Sequence, residues 1–117
     1  MKKAGTIDYV ELPARDIEAT KHFFSAAFEW TFVDYGPEYV SFQDAGLSGG
    51  FYKSDKVAST ASGSALVVLY SDALEHTHEV VLEAGGEIIE PIFEFPGGKR
   101  FHFADPSGNE WAVWSEG

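Results

Sequence analysis

One order of elements runs along this chain twice, and few folds accommodate that. Over residues 6–12 side chains alternate as in a half-buried strand, Val10 and Leu12 on one face, Ile7, Tyr9 and Glu11 on the other, and Pro13 closes the run. Asp16 stands where an N-cap accepts orphan N–H groups, Glu18 suits the helix dipole, and Ile17, Thr20, Phe24, Ala27 and Phe28 recur at helical spacing. Strand-like stretches follow over 30–35, broken by Gly36-Pro37, and over 39–43 and 47–53. Gly49-Gly50 removes two side chains from the last of these, which predicts a close approach or a bulge. Residues 54–64 are small, polar and aperiodic, and read as a mobile linker.

The order then restarts. Residues 65–70 predict a strand, and 73–84 a helix capped by Asp72 with Leu74, Thr77, Val81 and Ala84 inward. Gly85-Gly86 ends that helix as a C′ glycine does, and 87–93 form the next strand. Residues 99–104 and 110–114 alternate on either side of Asp105-Pro106-Ser107-Gly108-Asn109, a hairpin with strong turn chemistry. Phe42-Gln43-Asp44-Ala45-Gly46 echoes Phe103-Ala104-Asp105-Pro106-Ser107-Gly108. The sequence thus predicts an α+β fold of two βαβββ modules within one domain, 1–117: module one 5–53, linker 54–63, module two 64–116.

Composition narrows the function. The absence of cysteine removes disulfides, thiolate nucleophiles and cysteine metal sites. No run of about 18 apolar residues predicts a membrane span, and the N-terminus has no apolar signal region, so a cytoplasmic protein is expected. Nineteen acidic residues against eight basic ones give a net charge of −11, a field that repels phosphate backbones and anionic lipid; neither nucleic acid nor membrane is an expected partner. Against that field Lys99-Arg100 stands out, and an inward-facing Arg100 would be an anion contact.

Three stretches together resemble the vicinal-oxygen-chelate superfamily of glyoxalase I, extradiol dioxygenases and fosfomycin- and bleomycin-resistance proteins. They are Val10 through Asp16 with the aromatic helix Phe23-Phe24 to Phe28-Glu29-Trp30, then Ala84-Gly85-Gly86-Glu87, then Phe103 through Glu110. The resemblance is closest to small glyoxalase-related proteins. It implies a curved, incomplete barrel around a cavity, with helices outside. Val10, Leu12, Val40, Phe42, Phe101, Phe103, Trp111 and Val113 would then meet the helices. Tyr9, Glu11, Tyr39, Ser41, Arg100, His102, Glu110, Ala112 and Trp114 would line the cavity.

The metal-binding members place His, Gln or Glu at four strand positions. Here these fall on Tyr9, on Gly49 or Gly50, on Ala65 or Leu66, and on Ala112, none a usual ligand for a divalent transition metal. The usual metal site is therefore not expected, and no cofactor is. A divalent metal held instead by Glu11, His102 and Glu110 stays open as an alternative. His22, His76 and His78 read as surface residues, and Trp30 and Trp111 as core or interface.

The resemblance implies a metal-independent small-molecule binding protein, with Tyr9, Tyr39, Ser41, Arg100, His102, Glu110 and Trp114 as ligand contacts for an anionic or aromatic molecule. The alternative is a lyase or isomerase related to lactoylglutathione lyase, with Glu11 or His102 as base and Arg100 steadying an enolate-like anion. A further alternative is a ligand-sensing domain without chemistry. Family members pair modules across chains, so a homodimer is expected.

Overall fold

Each half of the chain builds one helix and one open four-stranded sheet. The computed structural model describes residues 2–117. Its elements are β1 (Val10–Ala14), α1 (Ile17–Phe28), β2 (Thr31–Asp34), β3 (Tyr39–Gln43), β4 (Gly49–Lys53), a 3₁₀ turn (Thr60–Ser62), β5 (Val67–Tyr70), α2 (Leu74–Glu83), β6 (Glu87–Phe95), β7 (Gly98–Ala104) and β8 (Glu110–Glu116). The sheet orders, β1-β4-β3-β2 and β5-β8-β7-β6, are the same arrangement repeated, with β1–β4 and β5–β8 parallel and the other pairs antiparallel. The two βαβββ modules that the sequence predicts are the fold.

One apolar core serves both modules. Leu12, Val40, Phe42 and Phe51 from the first sheet and Phe101, Phe103, Trp111 and Val113 from the second bury against the helices. Phe23 tilts against Phe103 with ring centres 5.7 Å apart, and Phe24 meets Trp111 at 4.9 Å. The modules therefore pack on one another within a single chain. Phe23, which the helical spacing left off the apolar stripe, is among the most buried side chains. Because both sheets give one face to this core, their other faces turn away from it.

Several local expectations are corrected. β1 runs through Pro13 to Ala14 instead of stopping before it. It is an edge strand paired only with β4, where a missing N–H is tolerated, and the Pro13 carbonyl accepts from Asn109 Nδ2 at 2.6 Å. Asp16 caps α1 as expected, accepting from the Ala19 N–H. Asp72 does not cap α2: Ala73 holds the N-cap position without a side-chain bond, and Ser71 Oγ takes the Ala73 N–H instead while bonding Thr77 Oγ1. His78, expected at the surface, sits edge-on to Phe101, ring centres 5.1 Å apart. β6 extends to Phe95 through register shifts around Pro91.

Residues 54–64 are not a loose tether. Ala58 N–H donates to Asn109 Oδ1 at 2.8 Å, and the Ala58 carbonyl accepts the Glu110 N–H at 2.8 Å. Gly49 and Gly50 mark a close approach, as their spacing predicts: a Cβ at Gly50 would strike the Tyr39 phenol and the Val40 carbonyl, and one at Gly49 would strike Phe42 and the Val10 carbonyl.

Candidate functional site

β7 and β8 build the more chemically loaded face. Their register sets Arg100 opposite Trp114, His102 opposite Ala112 and Ala104 opposite Glu110. Period-two alternation puts Arg100, His102, Glu110, Ala112 and Trp114 on the side away from the core. Ala112 is small, so His102 can lean diagonally to Glu110.

The resulting chain of bonds is continuous. His102 Nδ1 lies 2.7 Å from Glu110 Oε2. Glu110 Oε1 accepts from the Thr60 N–H at 2.9 Å and the Thr60 hydroxyl at 2.7 Å. Arg100 Nε and Nη2 approach His102 Nε2 at 3.2 and 2.9 Å. A guanidinium only donates and a carboxylate only accepts, so His102 is the neutral tautomer with its proton on Nδ1, donated to Glu110. Burial pushes the Glu110 carboxyl up, but the bonds from His102 and Thr60 outweigh it and hold the group below its ordinary value.

Arg100 lies over two rings, Phe93 at 5.9 Å and Phe95 at 5.8 Å from its central carbon. It enters no ion pair among the described residues. Its Nη1 has no protein partner, and no buried side-chain nitrogen or oxygen among the described residues lacks one, so that donor is open to solvent. Trp114, half-buried, sets its ring 6.3 Å from Phe95 and 5.3 Å from Tyr70.

The other expected contacts assemble separately, on the first sheet. Tyr39 donates its single hydroxyl proton to Glu11 at 2.9 Å, so Tyr9 donates to Tyr39. Burial, then the bonds to Tyr9 and Glu11, push the Tyr39 hydroxyl far above the ordinary tyrosine range, and it stays protonated. Tyr9, Tyr39 and Ser41 line an open hollow of about 430 Å³ with Tyr35, Gln43 and Gly49. Among the described residues no hydrogen bond or ion pair joins this group to Arg100, His102 and Glu110. The expected contacts thus form two hydrogen-bonded groups, one on each sheet, and no hydrogen bond or ion pair links Glu11 to His102 among the described residues.

Nor do three His, Asp or Glu side chains converge to hold a metal among the described residues, which removes the Glu11, His102 and Glu110 set. At the family's four ligand positions, Tyr9, glycine, Ala65 or Leu66 and Ala112 do not supply the imidazole and carboxylate donors that a divalent transition metal takes. The residues present do not fit that metal.

A third cluster joins the modules. The buried Asp105 carboxylate accepts from the N–H groups of Ser107 and Asn109, from Asn109 Nδ2 and from Trp111 Nε1 at 2.9 to 3.2 Å. Burial still pushes Asp105 up against these bonds. Ser107 Oγ accepts the Arg15 N–H at 2.9 Å. Sequence reasoning missed Thr60, Phe93 and Phe95 as parts of the site. Phe93, the last residue of the expected strand, and Phe95, two residues past its end, carried a signal in their alternation; Thr60 carried none.

A family model, Glyoxalase/Bleomycin resistance protein/Dioxygenase superfamily, matches residues 6–113. No curated protein sequence matches the chain. Among solved structures, a glyoxalase-related enzyme from Fulvimarina pelagi superposes with a TM-score of 0.80 at 22% identity, covering 96% of this chain and 88% of that one. A glyoxalase/bleomycin resistance protein/dioxygenase family enzyme from Burkholderia phytofirmans PsJN gives 0.77 at 17% identity, covering 93% and 97%. TioX from Micromonospora sp. ML1 gives 0.73 at 17% identity, covering 96% and 99%. At these identities the likeness is one of fold.

Proposed function

The chain belongs to the glyoxalase/bleomycin resistance protein/dioxygenase superfamily, and on that premise we propose that it is a small-molecule binding protein that works without the usual metal. The observation that carries the reading is Arg100: a guanidinium lying over Phe93 and Phe95, in no ion pair among the described residues, with an open donor, on a residue paired across the hairpin with Trp114. In a chain of net charge −11 such a cation favours one kind of guest. A carboxylate would take the fork, and a flat or apolar body would lie on the rings. The same face leaves Val68, Tyr70 and Phe93 exposed, which supports closure by a second copy of the chain. No helix among the described residues is long and apolar enough to cross a membrane.

Benzoate is the direct probe. Thermal melts should rise with benzoate concentration in the wild type, by an amount growing as the logarithm of ligand over Kd. Arg100→Met, which keeps the stem over the rings and removes the fork, should lose that rise. Melts insensitive to benzoate, or equally raised in both proteins, would sink the reading. A second reading, a lyase or isomerase, is favoured by the 2.7 Å contact of His102 with Glu110, which orients an imidazole as a general base does. It uses the same face and differs by turnover of the bound molecule.

A further inference from the structure

Arg100 holds two posts. Its open Nη1 faces solvent, while its Nε and Nη2 cover His102 Nε2, the one imidazole nitrogen that carries a lone pair. The other nitrogen is committed to Glu110, which Thr60 anchors in turn. His102 is therefore oriented as a base and stoppered as one by the same residue that would greet an anion.

Building on the carboxylate-binding reading, we infer that a bound carboxylate draws the Arg100 fork off His102, so that His102 becomes a proton acceptor only while an anionic ligand is in place. The chemistry favours the exchange. An arginine–carboxylate pair takes two parallel charge-assisted bonds, whereas the ring nitrogen offers one neutral lone pair shared by two donors. Among the described residues no carboxylate pairs with Arg100: Glu110 is engaged by His102 and Thr60, and Glu90, opposite His102 on β6, forms no ion pair with it. Uncovered, Nε2 can take the proton of an acidic C–H or O–H of the ligand. The bonding electron pair stays on the ligand beside the Arg100 charge, and Nδ1–H stays with Glu110. The ligand class is a small carboxylate with an acidic hydrogen near the carboxyl group. Thr60 and Glu110 are positioning residues, because they act through His102.

Acylation by diethylpyrocarbonate tests this, since an imidazole nitrogen with a free lone pair attacks the reagent's carbonyl carbon and displaces ethyl carbonate. His102 is followed by mass spectrometry of its peptide at constant pH, with the exposed His22 and His76 as internal references. In Arg100→Met and Arg100→Ala the His102 rate should rise roughly tenfold or more, the ratio that losing one bond to a charged group implies. In the wild type, benzoate should raise the His102 rate and leave His22 and His76 unmoved. An unchanged His102 rate in both Arg100 variants overturns the inference. So does a wild-type rate that benzoate does not raise at any concentration. If benzoate still raises the wild-type melting temperature in that case, the binding reading survives alone; if it does not, both fall.

Discussion

Glu110 ties three parts of the chain together, and cutting it away should be felt in all of them. Glu110→Ala removes the acceptor of His102 Nδ1–H, of the Thr60 N–H and of the Thr60 hydroxyl. Three bonds to a charged acceptor at roughly 1.5–3 kcal/mol each would exceed the real loss, because they share one carboxylate and their energies do not add. Thr60 is exposed, so its two donors recover water. His102, with 12% of its side chain exposed, recovers less and is the main cost. The net loss should be about 2–3 kcal/mol, the upper part of the range for one buried polar group left unpaired. At roughly 3–5 °C per kcal/mol for a domain of this size, the melting temperature should drop by about 10 °C. Glu110→Gln keeps the shape and one acceptor oxygen but turns an N–H₂ toward donors, and should lose roughly half as much.

The pH dependence separates this account from simple loss of packing. The Glu110 carboxyl titrates below its ordinary 4.5 in the folded chain. Above the unfolded value its contribution is fully present; as pH falls through the folded value the folded state takes up the proton and the contribution drains away. The gap between wild type and Glu110→Gln should therefore narrow between about pH 5 and pH 3. Asp105, whose carboxyl is pushed up, contributes in the opposite sense, but it is common to both proteins and cancels. Differential scanning fluorimetry across that range reads the gap. A gap unchanged down to about pH 3, or a Glu110→Ala protein melting within about 2 °C of wild type, would refute the argument.

Two further outcomes are expected. Ser71→Ala should cost about 1 kcal/mol by denaturant unfolding, since Ser71 Oγ supplies the cap that Ala73 lacks, whereas Asp72→Ala should stay within about 0.5 kcal/mol; the reverse order would restore Asp72 as the cap. Light scattering should give twice the 12.8 kDa chain mass at micromolar concentration, and Tyr70→Glu on the exposed face of β5 should return a single chain; a wild-type monomer throughout would remove the second copy from the site.

How far the sequence went depends on how local each cause was. The hairpin of β7 and β8 was legible because a period-two pattern and a turn with Pro, Gly, Asp and Asn act over neighbouring residues, and its register follows from them. Asp16 and Gly85 were legible for the same reason. Asp72 was not: the same residue type one position off the helix start loses the bond to a serine beside it, and propensity does not resolve one residue. Parity set Arg100, His102, Glu110 and Trp114 on one face, but it says nothing of which side chains bond to one another, so it did not show that Tyr9, Tyr39 and Glu11 form a hydrogen-bonded group of their own. What escaped altogether was Thr60. Its link to Glu110 spans 50 residues and is made partly by a backbone N–H, which every residue but proline carries, in a segment whose small polar composition spoke for disorder. The same bond gives that segment a reason to be ordered. If His102 is a base whose orientation depends on Glu110, then the connection between the modules helps set the direction of the imidazole. The segment that looked least informative in the sequence belongs to the site.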